Sequence, residues 1–315
     1  MKSDISLDRR SSVEWPTVAL ILLCTALWLG ATAFSSVLTL WVAIPLTAFA
    51  ITLHSSLQHE VIHGHPTRWV WLNELMVSPS IGLVMPYERA KATHIAHHAN
   101  PNIAEPFEDP ESRYEDKAVW ARMSPFERRL RQINNTLLGR VTIGPALALW
   151  DFYKDDWQTA RNPAAPSNER RDLIRAYALH GVALVPVGLW FTFVADMPIW
   201  AFLVACYLGV SVLLIRTFLE HQAHERHAAR TVIIEDTGPL SLLFLNNNLH
   251  AVHHARPTVA WYRLPALYRQ EREKFLAHNG CYLYRSYLDV ISRYFFCAKD
   301  PVPYPLKPSR TRTQA

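Results

Sequence analysis

The sequence predicts an all-α integral membrane protein with four membrane-spanning helices arranged as two hairpins. Three observations predict it. The chain has 315 residues, half of them hydrophobic, yet none of its 32 Lys and Arg falls in residues 16–58 or 176–215. Each window is about 40 residues, enough for two crossings at roughly 20 residues per helix. Each is also broken once by a short turn without Lys or Arg, at Ser35-Ser36 and around Asp196. The expected spans are therefore 16–34, 37–57, 176–195 and 197–215.

Taken in order, residues 1–15 form an N-terminal segment. The run that follows ends in Ala31-Thr32-Ala33, which imitates a signal-peptidase site. Asp4, Asp8 and Glu14 before it, and the second apolar run directly after it, argue instead for a retained first span. Arg9, Arg10, Arg68, Arg170, Arg171, Arg175 and Arg216 flank the spans, so the positive-inside bias places the N-terminus, the middle segment and the C-terminus in the cytoplasm. Pro45 and Pro186 inside spans are tolerable because neighbouring helices satisfy the freed carbonyls.

Residues 69–87 are too short to cross twice, and one crossing would separate groups of His that belong together. An interfacial or re-entrant segment is expected. Residues 141–150 are expected along the surface. Ser124-Pro125-Phe126-Glu127 is a capping-box helix start, followed by a basic helix. Residues 16–299 then form a single domain, and 300–315 a Pro-rich basic tail expected to be disordered.

Four Cys without a CxxC argue against a disulfide framework, a zinc ribbon or a rubredoxin-like iron site. The net charge of +5 fits cytoplasmic loops and anionic membrane lipids; nucleic acid is not an expected partner.

The sharper signal is 15 His, most of them clustered. HEVIHGH carries His59, His63 and His65; HIAHH carries His94, His97 and His98. EHQAHE carries His221 and His224, and HAVHH carries His250, His253 and His254. Spacings of three and four put imidazoles on one helical face, and neutral imidazole is a good ligand for iron, zinc, copper or nickel. An HxxHH arises by chance roughly 0.03 times per chain at this His content, so two copies are not accidental. The first and third groups begin just after spans end, and the other two lie in cytoplasmic segments, so all four can surround one volume at the membrane surface. More than eight His exceed the needs of one ion. The expected cap is thus helical, cytoplasmic and built around a dimetal site.

These residues resemble the membrane fatty acid desaturase and hydroxylase superfamily. HEVIH, HIAHH and HAVHH are similar to its three His boxes, TFLEHQAHE to a segment that supplies an additional His, and EPFEDPES to an acidic segment after box two. The likeness runs from about His54 to Arg269 and includes NNNLHAVHHARPTVAWYRLPALYR, which is similar to the final box of bacterial members. It implies a non-haem di-iron centre of two Fe ions with O2 as co-substrate, on the cytoplasmic face of a bacterial inner membrane. The implied metal ligands are His59, His63, His94, His97, His98, His250, His253 and His254, with His221 as a ninth. His65 and His224 stand as either ligands or supporting residues. Glu60, Asp109 and Glu220 are candidates to orient ligating imidazoles through their free N–H. Asn247, one of three Asn before box four, either holds a metal-bound water or caps the helix.

The implied activity is O2-dependent desaturation of a fatty acyl or similar lipid chain, with hydroxylation or ketolation of an alkyl, acyl or carotenoid substrate as the alternative. No haem-binding or Cys-rich electron-transfer motif is present, so an external donor of ferredoxin, rubredoxin or cytochrome type is expected. Arg128, Arg129, Arg131, Arg170 and Arg171 offer a basic surface that would steer it, or contact anionic lipid. HEVIH is also a literal HExxH, with Glu60 as the general base of a membrane zinc protease. That reading leaves both HxxHH boxes unexplained.

Overall fold

A computed structural model describes residues 13–164 and 166–307. Arg9, Arg10, most of the N-terminal segment and the last eight residues of the tail lie outside the described residues.

Four helices among the described residues are long and apolar enough to cross a membrane: Trp15–Ala33, Leu40–Ile62, Ser167–Phe193 and Ile199–Arg216. The second and third outrun their apolar windows. The second continues to Ile62, carrying box one out on rigid helix, and the third starts at Ser167 with polar turns before its apolar stretch.

The second span is the centre of the bundle. The first lies against it, with Cys24 Sγ donating to the Ala50 carbonyl at 3.2 Å. The fourth packs on it at Gly209, where a Cβ would stand 2.8 Å from Ile51 Cγ2 and 3.1 Å from the Ala48 carbonyl oxygen. Thr52 Oγ1 seals that crossing with a 3.0 Å bond to the Gly209 carbonyl.

The third span stands aside, with Leu173, Ala176 and Val187 buried. It meets the others near the turn. There Trp190 Nε1 donates to Thr32 Oγ1 at 2.9 Å, and the Phe191 and Phe202 rings are 4.3 Å apart. Asp196, in the turn after the third span, accepts from the backbone N–H and hydroxyl groups of Ser35 and Ser36, which joins the two hairpin ends.

The segment after box one fills the space between the second and third spans. Following the short helix Val70–Met76, Val77 accepts from Gln58 Nε2 at 3.2 Å, and Ser80 N–H donates to the Ala183 carbonyl at 3.2 Å. His180 donates to the Leu83 carbonyl at 2.8 Å, so this isolated His is structural.

The cap sits at the end of the bundle that carries Ile62 and Arg216. It includes the helices Tyr87–Ala99, Pro125–Asn134, Gly144–Arg161, His250–Ala255 and Leu264–His278. Ser124 and Glu127 form the expected capping box. Two short parallel strands, Ile233–Ile234 and Leu283–Tyr284, tie the segment before box four to the C-terminal part, pairing Ile233 with Leu283. The expected loose tail needs a correction. Residues 300–307 are anchored at Tyr304, which is buried edge-on against Tyr114 and whose N–H donates to the Glu115 carbonyl at 2.8 Å. An aromatic anchor outweighs the Pro-rich composition here.

Candidate metal centre

Helical geometry decides which way each imidazole faces. At 3.6 residues per turn, positions i and i+4 nearly superimpose, whereas adjacent positions diverge by roughly 100°. On Tyr87–Ala99, His94 and His98 therefore share one direction and His97 takes another. On His250–Ala255, His250 and His254 pair, and His253 turns away. His59 and His63 pair at the end of the second span. His221 comes from non-helical chain: the fourth span ends at Arg216, and a turn delivers His221 against His250.

The nine histidines resolve into two groups. His59, His63, His94, His98 and His253 form one, and His97, His221, His250 and His254 the other; within each group the ligand atoms lie within 4.8 Å of one another. The Nε2 atoms face inward. In the first group His63 and His94 are 3.0 Å apart and His98 and His253 are 3.2 Å apart. In the second, His250 is 3.1 Å from both His221 and His254, and His97 is 3.3 Å from His254.

Three of the outward nitrogens are held by acceptors. His97 Nδ1 lies 2.7 Å from Asp109 Oδ1, in a contact both of whose side chains are sealed from solvent. Asp109 is itself fixed by the backbone N–H groups of Ala104 and Glu111, at 2.7 and 2.9 Å. His94 Nδ1 is 3.1 Å from Glu111, and His250 Nδ1 is 3.1 Å from Asn247 Oδ1. Asn247 Nδ2 in turn donates to Glu220 at 2.9 Å, and Glu220 pairs with Arg216 at 3.1 Å. With the proton kept on Nδ1, these three rings present a bare Nε2 lone pair.

Ring nitrogens gathered at 3.0–3.3 Å are spaced to share a cation. Two nitrogens bound to one ion at about 2.1 Å stand about 3.0 Å apart at a right angle and about 3.4 Å apart in a tetrahedron. The separations fall in that interval, and His59 Nε2 is buried with no protein partner. The donor set fits two metal ions.

The electrostatics agree. Burial first, then neighbouring imidazoles, holds His250, His253 and His254 well below the ordinary range; His221 is lowered by burial and by His97. His98 is pushed down to about 3 by burial and by His94 and His97. Neutral rings are what a metal requires. His97 goes the other way: burial lowers it, but the Asp109 hydrogen bond and the nearby carboxylates outweigh that.

Other expected residues fall elsewhere. His65 is buried beside Glu14, 2.8 Å from its carboxylate, and outside both groups. His224 is exposed, accepting the Arg226 N–H at 3.0 Å. Glu60 accepts the Trp261 N–H at 2.9 Å and lies 3.8 Å from His65, which joins box one to the chain after box four. The helix at box four has no side-chain cap, and Asn247 serves His250 instead. Arg131 is engaged by Asp151 and Glu115, so it adds little free charge to the basic surface.

Two residues were not anticipated in their roles. Glu111 belongs to the acidic segment, but spacing within an irregular turn does not reveal which carboxylate meets which ring. Arg216 reads in the sequence only as a flank of a span.

A family model described as fatty acid desaturase matches residues 35–286. A search of curated proteins found no match.

Proposed function

Because the chain belongs to the fatty acid desaturase family, we propose that it is a di-iron oxidoreductase of the membrane that introduces a double bond into a fatty acyl or similar lipid chain. What carries the reading is the sorting of nine imidazoles into two groups with their Nε2 atoms inward. One ion would be held by His59, His63, His94, His98 and His253, the other by His97, His221, His250 and His254. Two iron ions supplied with electrons by an external donor would provide the O2-dependent oxidant that an unactivated methylene needs and no side chain can supply.

The protein's own part is positioning. Asp109, Glu111 and Asn247 keep protons on the outward nitrogens, and the Arg216–Glu220 pair holds Asn247 in register. The second and fourth spans meet without a side chain at Gly209, so box one and His221 leave the bilayer from one rigid unit. The substrate approaches from the lipid phase and the electrons from the cytoplasm, where the cap lies in this reading.

Hydroxylation draws on the same centre and differs in how the substrate methylene is placed, where a shift of about 1 Å changes rates strongly. Lipid mass spectrometry of a heterologous host expressing the chain separates the outcomes. Loss of two hydrogens is the expected result, gain of one oxygen indicates the hydroxylase, and an unchanged lipid profile with a fully metallated protein contradicts both.

A further inference from the structure

Behind His221 lies a group of cations that the metal centre does not use. Arg140, on the short helix Leu137–Thr142, is only 6% exposed, and its Nε is buried without a partner. Among the described residues no hydrogen bond or ion pair engages its guanidinium. The guanidinium faces the Phe218 ring, whose centroid is 6.0 Å from Cζ.

The acidic groups beside Arg131 and Lys299, the cations whose charge reaches Arg140, are already engaged. Asp151 and Glu115 are held by Arg131, at 2.7 and 3.0 Å. Asp300 is 3.4 Å from Lys299 and accepts the Tyr114 hydroxyl at 2.6 Å. Lys299 itself adds a second buried cation and donates to the His221 carbonyl. A charge taken out of water is stable only when paired or hydrogen-bonded. Arg140 is neither.

The side-chain oxygen of Asn134 is also buried and unpartnered. It borders Gly144, where a Cβ would stand 2.9 Å from that oxygen and 3.4 Å from Arg140 Cδ. With its amide turned over, Asn134 would offer an N–H to an anion already facing the guanidinium. Burial, with Arg113 and Arg131 nearby, pushes Arg140 down to about 9, a stress that a bound anion relieves.

We infer that Arg140 is the core of a buried anion subsite that takes a phosphate or carboxylate group, the oxyanions whose paired oxygens match a guanidinium. The inference does not depend on the reaction proposed above. The group arrives either as the head of an amphiphile or as a free ion, and one experiment separates these sources.

The metal-loaded protein, purified in a maltoside detergent and without reductant, is titrated calorimetrically with dodecyl phosphate, dodecanoate, dodecanol and inorganic phosphate. Both alkyl anions are expected to bind about tenfold or more tightly than dodecanol, the scale of hydrogen bonds to a charged group. Arg140→Gln removes that preference, and Arg140→Lys keeps part of it. Competition by inorganic phosphate identifies the free ion as guest; failure to compete identifies the amphiphile head. Equal affinity for anions and dodecanol in the unaltered protein overturns the subsite. So does an unchanged preference in Arg140→Gln. If the Gln variant does not fold, the four-probe comparison on the unaltered protein decides alone.

Discussion

At His97 one nitrogen is gripped by Asp109 and the other is aimed at His254, and the grip sets the aim. Asp109 earns its rigidity from two backbone N–H groups, so it is a fixed acceptor rather than a floating charge. Asp109→Asn keeps the shape but removes the anion, and partners of this kind typically change metal affinity 10–100-fold. We expect chelator competition on the purified variant to show one of two ions held at least about tenfold more weakly, with the other unchanged. Equal retention of both would show that Asp109 does not tune the centre. The pairs His59/His63, His94/His98 and His250/His254 were legible from spacing, because i, i+4 partners share a face whatever they pack against, whereas His97, His253 and His221 were expected as ligands through the family resemblance. Their division into five and four was not. It depends on how His253 of one helix meets His98 of another, 155 residues apart in the chain, and no local period encodes that. Glu111 was hidden for the same reason.

Among the elements, the decisive contact is the crossing of the second and fourth spans at Gly209. A side chain there would meet Ile51 and the Ala48 carbonyl, and backbone cannot yield as a flexible side chain can. Overpacking of this kind costs about 1–3 kcal/mol. Gly209→Val is therefore expected to lower the thermal midpoint and also the bound metal, since box one ends one of the two helices it forces apart and His221 follows the other by a short turn. Gly181→Val on the third span is the control, because nothing lies within 4 Å of a Cβ there. Similar losses in both variants would mean that the crossing has no special role. The spans themselves were legible as windows free of Lys and Arg. Which spans touch was not, because lipid-facing and helix-facing stretches are equally apolar and small residues mark the interface only once the partner is known. The same limit hides that the third span meets the other spans near its turn, at Trp190 and Phe191.

For the whole molecule, the cost of gathering so many imidazoles shows as a dependence on pH. His221, His250, His253 and His254 titrate in the folded protein well below the ordinary imidazole value of about 6.5. Below that pH the unfolded chain binds more protons than the folded one, so stability falls as pH falls. The thermal midpoint of the metal-free protein should stay level from pH 8 to about 7 and decline from about 6.5 to 5; a level profile throughout would contradict the neutral rings. Orientation in the membrane can be tested with the chain's own thiols. Cys24 and Cys206 are buried within spans, whereas Cys281 and Cys297 are exposed on the cap. If the basic flanks place the cap in the cytoplasm, a membrane-impermeant maleimide should leave the protein unlabelled in intact cells and label it in inverted vesicles. Peptide mapping should then find the label on Cys281 and Cys297 alone. Labelling in intact cells would put the cap, and with it the nine histidines, on the opposite side of the membrane from a cytoplasmic electron donor.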